Sequence, residues 1–437
     1  MTNPIEILQH LIRFDTTNPP GNEAECIAYL DRLLKEAGIE TTLVAREPHR
    51  PNLIARLKGT GNTPPLLMYG HVDVVTTANQ DWDQPPFSGV EVDGYIWGRG
   101  ALDMKGGVAM LISAFLRAST EKLPLAGDII LTLVSDEEGR SDYGSKYLVE
   151  NHPHYFDGVR FALGEFGGFS LYLGGRKFYP IMVGERQSCN LKAILRGPAG
   201  HGAFPLRGGA MGKLGRFLVA LDEKRFPPHL TPVVRRMLET MSEQIEDTEL
   251  KTRLIQLLDP AMVDMALEQL GDQRRFFEPQ LRNTVSPTIV NGGNKLNVIP
   301  PEVEVTLDGR ILPTFRPDDL LAEMRQVVGE DVEIIVTRYE PGPAGIHMGL
   351  YDVLARTLRE ADPDGYPVPL LISGATDARY FSRLGIQTYG FLPMNLPPDF
   401  SFMPLIHAAN ERVPAEAIQF GTDTIYKALQ RFGEAAL

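Results

Sequence analysis

The sequence predicts an α/β fold: a mostly parallel central sheet flanked by helices, interrupted by a smaller α+β unit with a four-stranded antiparallel sheet and a helical insert. Three observations carry this. Short apolar runs alternate with amphipathic stretches over residues 1–185 and again over 341–437, as they do around a covered sheet. From about 186 to 340 the texture changes, and Val303, Val305 and Leu307 alternate with polar residues as in a sheet with one solvated face. Three of the buried runs end in groups able to bind a cation, at His71, at Glu137–Glu138 and at Glu165. The carboxyl ends of strands are where open α/β sheets place their chemistry.

The elements follow in order. Ile5, Leu8, Leu11 and Ile12 recur at helical spacing, and a turn-rich loop runs from Asp15 to Asn22. A second helix covers 23–38, with Gly38 as its stop. Strands are expected over 41–46, 52–57 and 65–70, the last ending in Gly70-His71-Val72-Asp73. An i, i+2 pair on extended chain points to one side, so Asp73 can sit with His71. That pair reads either as a satisfied structural histidine or as a metal ligand with an orienting carboxylate. Loop and hairpin follow to Gly100, then Asp103-Met104-Lys105-Gly106-Gly107 opens a helix, with Asp103 either its N-cap or a ligand. The apolar strand 128–135 ends in Asp136-Glu137-Glu138-Gly139, which is either a solvated acidic loop or a cation site. A helix over 145–149 and a strand over 159–163 lead to Gly164-Glu165.

The smaller unit reads as a strand at 190–195, a helix at 209–221, a charged helical insert at about 224–283, strands at 288–290 and 303–307, a helix at 317–328 and a strand at 332–336. Without the insert this is strand-helix-strand-strand-helix-strand. Past 340 come a helix (350–361), a strand (369–372), the loop from Ser373 to Arg379, a strand (388–392), a proline-rich loop to His407, and a last helix over 414–431.

Composition narrows the function. The 437 residues carry a formal net charge of −13, which argues against nucleic acid or an anionic membrane surface as main partner. Two cysteines, Cys26 and Cys189, provide neither a disulfide framework nor a thiolate zinc cluster. A metal would be held by His, Asp and Glu. No apolar run reaches membrane-spanning length and Met1 to Glu6 lacks a signal pattern, so a cytoplasmic protein is expected.

Together His71, Asp103, Glu138, Glu165 and His407 form an N/O ligand set suited to zinc, with manganese or cobalt as substitutes. With Gly98-Arg99-Gly100, Gly200-His201 and Asn297-Val298-Ile299-Pro300, these motifs stand in the order found in the M20 family of co-catalytic zinc metallopeptidases and deacylases, which the chain resembles over nearly its whole length. That family includes aminoacylases, acetylornithine deacetylase, succinyl-diaminopimelate desuccinylase and carboxypeptidases. The resemblance implies two Zn²⁺ per subunit. Asp103 would bridge them, His407 and Glu138 completing one site and His71 and Glu165 the other. Asp73 would orient His71. Glu137 would act as general base on a metal-bridging hydroxide. A cis peptide would follow Asp103. By the same analogy 186–340 would be a lid and dimerisation domain, and 1–185 with 341–437 the catalytic domain. His201 would stabilise the oxyanion from a partner subunit. Asn297 and Arg310 would hold the substrate, with Arg379 a second candidate. The absent proline beyond Val75, where Thr76-Thr77 stand, affects loop shape only.

The function implied is hydrolysis of an amide bond next to a free carboxylate, in N-acyl amino acids or small peptides, by a homodimer. The alternatives are a dipeptidase or aminopeptidase on the same centre, which would need an acidic group for a free amine, and a metal-bearing binding protein without turnover.

Overall fold

A computed structural model describes residues 3–343 and 345–435. The predicted fold class is the one observed: a mixed α/β body with a largely parallel central sheet, and a separate four-stranded antiparallel sheet. Along the larger sheet the strand order is Thr41–Ala45, Pro51–Leu57, Ile129–Val134, Leu66–His71, Phe161–Gly164, Gln387–Gly390, Arg176–Glu185 and Gly365–Ile372. The four strands from Ile129–Val134 to Gln387–Gly390 run parallel. Leu66–His71 and Ile129–Val134 are buried at every position, which is why both read as unbroken apolar runs. The helix Lys105–Thr120 is buried along most of its length, packed between Pro4–Arg13, Ala415–Arg431 and the sheet.

The smaller sheet has the order Thr284–Gly292, Glu302–Ile311, Gln187–Arg196, Glu333–Glu340. Glu302–Ile311 alternates strictly between buried and half-buried positions. Val305, Leu307 and Ile311 join a core with residues of Ala210–Glu223 and Pro317–Val328. The opposite face carries Asp308 and Arg310. In register beside them lie Ser188 and Asn190, then Glu340 and Arg338. The chain passes from the larger to the smaller sheet between Glu185 and Gln187, and Glu340 ends the last strand of the smaller.

Two features depart from the reading above. Strands Leu171–Leu173 and Arg176–Glu185 were not expected, because Gly174-Gly175 and Pro180 break the apolar signal. The stretch 224–283 holds four helices, Pro232–Gln244, Thr248–Gln256, Val263–Gln269 and Arg274–Leu281. Their apolar stripe does not pack on the smaller sheet. Val234, Met237, Leu238 and Met241 join the core of the body, and Pro232–Gln244 lies against Gly365–Ile372. Arg236 pairs with Asp352 at 2.7 Å and covers the Tyr351 ring. Among the described residues no helix is long and apolar enough to cross a membrane.

Candidate metal centre

Parallel pairing of Leu66–His71 with its neighbours brings His71, Glu137–Glu138 and Glu165 to one end of the larger sheet. Asp103 arrives on the loop before Lys105–Thr120. Its neighbour Met104 occupies the N-cap position without a side-chain cap, so the Asp103 carboxylate is left for the cleft. The Asp103–Met104 peptide is cis, as the resemblance implies. His407 comes in from the proline-rich loop, at φ +62°.

The result is two triads sharing one aspartate. His71 Nε2 lies 3.1 Å from Asp103 Oδ1 and 3.5 Å from Glu165 Oε2. His407 Nε2 lies 3.2 Å from Asp103 Oδ2 and 3.0 Å from Glu138 Oε1. In each triad one donor atom per residue falls within 4.8 Å of the others, a spacing that can hold a cation. Glu137 belongs to neither triad, although it groups with His71 and Glu138 at the same limit.

The electrostatics of the protein alone call for cations. Burial would lower the His71 pKa, but Asp103, Asp73 and Glu165 against the ring raise it well above the ordinary value. Contacts with Asp103 and Glu138 raise His407 to about 10. Burial, with Glu165 nearby, pushes Glu137 well up. Burial lifts Glu165 to about 6, against the opposing pull of His71. Glu165 Oε1 is buried without a hydrogen-bond partner. Five carboxylates, Asp73, Asp103, Glu137, Glu138 and Glu165, meet only two imidazoles here, a surplus of negative donors that suits divalent cations.

Asp73 has partners beyond His71. His71 Nδ1 meets the Asp73 backbone carbonyl at 3.0 Å, while the nearer carboxylate oxygen is 3.6 Å away. The carboxylate instead accepts the backbone N–H groups of Glu137 and Glu138, each at 3.0 Å. It therefore holds the strand-end loop as well as the histidine.

Glu411, given no role in the sequence reading, is fully buried and shapes the Asp103 loop. It accepts the N–H groups of Gly100 (3.1 Å), Leu102 (2.7 Å) and Asp103 (3.1 Å) and pairs with Arg99 at 2.5 Å. The only signal for it was its place four residues after His407.

Beside Gly139 and Arg140, just past the two glutamates, a cavity of about 270 Å³ opens between the body and the polar face of the smaller sheet. Arg310, Arg338, Arg379, Ser188, Asn190 and Glu340 line it. Two predicted arginines, far apart in sequence, thus meet in one cavity. Arg310 forks onto Asp308 at 2.9 and 3.2 Å, and Arg379 lies 3.6 Å from Glu340. His201 and Asn297 are not brought to the triads. His201 is exposed on a two-residue strand paired with Val298–Ile299, its Nδ1 accepting from the Ala203 N–H, and the Asn297 carbonyl accepts from Gly202. On the other side a narrow apolar crevice next to Asp103 and Glu165 is lined by Phe166, Phe169, Leu392, Met394 and Phe402.

With this geometry in hand, comparison with known proteins is specific. The profile of peptidase family M20/M25/M40 matches residues 67–431. The chain is 27% identical over 386 residues to the human N-fatty-acyl-amino acid synthase/hydrolase PM20D1, covering 84% of this chain and 74% of that protein. It is 34% identical over 212 residues to the succinyl-diaminopimelate desuccinylase of Paracoccus denitrificans, 47% of this chain and 52% of that one. Among solved structures, the M20 family metallo-carboxypeptidase Sso-CP2 of Sulfolobus solfataricus superposes with a TM-score of 0.69 at 16% identity, covering 99% of this chain and all of that one. Human carnosine dipeptidase 1 gives 0.64 at 16% identity, with 99% and 96% covered.

Proposed function

The chain belongs to peptidase family M20/M25/M40 and is an amide-bond hydrolase, and from that premise we propose that it cleaves N-acyl amino acids or small peptides whose released amino acid bears a free carboxylate. The observation that carries this is the pair of triads sharing Asp103, with Glu137 left over beside them. His71, Asp103 and Glu165 would hold one Zn²⁺ and Asp103, Glu138 and His407 the other. When bound, two such cations polarise an amide carbonyl and make a water acidic enough to deprotonate near neutral pH.

The rest is done by the chain. Glu137 is in neither triad, which leaves its carboxylate free to accept the proton of the attacking water and deliver it to the leaving nitrogen. Asp73 fixes the Glu137 and Glu138 backbone. Arg310 and Arg379 receive the substrate carboxylate, their guanidinium forks matching its two oxygens. His201 and Asn297 would act from the separate two-stranded pair of Gly200–His201 with Val298–Ile299 and the turn next to it. Neither is among the residues gathered in the two triads, and a homodimer would let them act at the partner's centre. Ile289, Val290, Met211 and Val219, exposed on Thr284–Gly292 and Ala210–Glu223, offer an apolar surface for that dimer. Glu340 keeps a dipeptidase reading in view, since it could take a free amine, but Arg338 and Arg379 already engage it.

The test is a panel of N-acetyl, N-succinyl and long-chain N-acyl amino acids plus dipeptides, assayed with zinc. Turnover of acylated amino acids is expected, and hydrolysis of free-amine dipeptides alone would select the other reading. Hydrolysis of nothing in the panel would sink both.

A further inference from the structure

A buried polar chain runs behind the metal centre without touching the cleft. Asn18 sits in the turn-rich loop near the N-terminus, 6% exposed. Its Nδ2 donates to Asp73 Oδ2 and to Asp136 Oδ1, both at 2.9 Å. Arg50, 4% exposed, reaches the same Asp136 oxygen with one terminal nitrogen at 3.2 Å. Its other donors fork onto Glu23 at 2.6 and 3.0 Å. Glu23 is fully buried.

The chain is placed, not draped. Thr16 Oγ1 donates to the Val72 carbonyl at 2.6 Å, Asn18 N–H to Val74 at 2.9 Å, and Val74 N–H to Thr16 at 3.1 Å. The loop therefore lies alongside the segment that leaves His71. Asp136 stands at φ +67°, a conformation uncommon outside glycine, and its carboxylate also accepts the Tyr143 N–H at 3.2 Å. That turn aims Glu137 and Glu138 into the cleft.

We propose that Asn18, backed by Arg50 and Glu23, is a positioning residue that ties the His71 strand end to the Glu137–Glu138 loop and thereby sets the metal affinity of the centre. Resting on the dimetal reading above, this adds to it a part that lies outside every ligand. One amide supplies both of its N–H donors to two carboxylates on adjacent strand ends. Without them no side chain joins the two, and Asp73 is left to the Glu137 and Glu138 N–H groups and Asp136 to Arg50 and the Tyr143 N–H. The charges point the same way. Glu23, Asp136 and Asp73 carry three negative charges against the two positive charges of Arg50 and the buried Lys105, whose ammonium feels Asp73, leaving one negative charge in a dry interior. Such an excess is unfavourable unless a cation lies near, and the ligands His71 and Glu138 adjoin it.

The experiment measures zinc affinity, by competition with a chromophoric chelator, in wild type, Asn18→Leu, Asn18→Ser and Arg50→Lys, with circular dichroism as the check on folding. Loss of an orienting partner outside the ligand shell weakens metal binding by about 10–100-fold. Asn18→Leu is expected in that range, with kcat reduced at saturating substrate and KM within about twofold of wild type. Asn18→Ser and Arg50→Lys, which keep part of the donor set, should fall between. Folded Asn18→Leu with wild-type zinc affinity overturns the proposal, as does a change confined to KM. If Asn18→Leu does not fold, Asn18→Ser decides by the same measurement. A wild-type protein that takes up no zinc overturns the dimetal reading itself. One that takes up two equivalents, alongside an unaltered Asn18 variant, overturns only the positioning role.

Discussion

The two polar surfaces that face each other across the cleft are built on opposite terms. At the strand ends of the larger sheet the His71 and Asp73 side chains are dry, 1% and 0% exposed, and those of Glu138 and Glu165 nearly so at 8% and 11%. On the smaller sheet Arg310 is 29% exposed and Arg338 50%. Dry charges are strongly coupled, which is why protonation is displaced throughout the first group. The ion pairs of the second are wet and worth about 0–1 kcal/mol each. The Arg310–Asp308 pair can therefore be exchanged for a substrate carboxylate at small loss. Chemistry needs the first arrangement, because an exposed carboxylate would be a poor base and a weak ligand. Recognition needs the second, because a buried arginine already satisfied would have nothing to offer.

Substitutions on the two sides should separate cleanly. The largest effect is expected for Glu137→Ala. Removal of a general base costs about 10²–10⁴-fold in rate, so kcat should fall in that range. Zinc content, measured by elemental analysis, should stay at the wild-type level, since Glu137 is in neither triad. A variant that stays active would remove Glu137 from the mechanism. On the wet side, Arg310→Ala deletes charge-assisted hydrogen bonds worth about 1.5–3 kcal/mol, which corresponds to about 10–100-fold. That loss should appear in KM for acylated amino acids, with kcat nearly intact. A loss in kcat alone would mean that Arg310 acts on the transition state instead of holding the carboxylate.

How far the sequence was legible follows the same division. The buried strands announced themselves, because Leu66–His71 and Ile129–Val134 are apolar throughout, and what followed each run was visibly out of place. The groups that hold those residues were harder to see. Glu411 contacts Asp103 across 308 positions and Asn18 contacts Asp136 across 118. Nothing in a local window distinguishes such a side chain from a surface polar residue. Asp73 was picked out, but spacing alone could not show that its carboxylate goes to the Glu137 and Glu138 N–H groups. The strand Arg176–Glu185 was hidden by Pro180, whereas the helical insert was legible and only its packing partner was not. Periodicity says that Pro232–Gln244 has an apolar face, not which sheet it covers.

The mildest test of the contrast is the pH dependence of stability in the metal-free protein. Burial raises Glu185 to about 7, though it accepts the Thr376 N–H and hydroxyl, and raises Glu165 to about 6. Both start from an ordinary value of 4.5. Between the ordinary and the raised value, the folded chain binds more protons than the unfolded one, so stability falls as pH rises. His407 has the same sign by another route. Its raised pKa stabilises the fold below about 6.5, and that contribution is lost as pH climbs toward 10. The melting temperature without metal should therefore decline from about pH 5 to pH 9. Saturating zinc should flatten the decline, because a cation then takes the place of the protons at Glu165 and His407. Glu185 lies outside the triads, so Glu185→Gln should flatten only the part below about pH 7, with or without zinc. A metal-free melting temperature that holds level or rises across this range would show that the strand-end carboxylates are not as dry as their burial makes them.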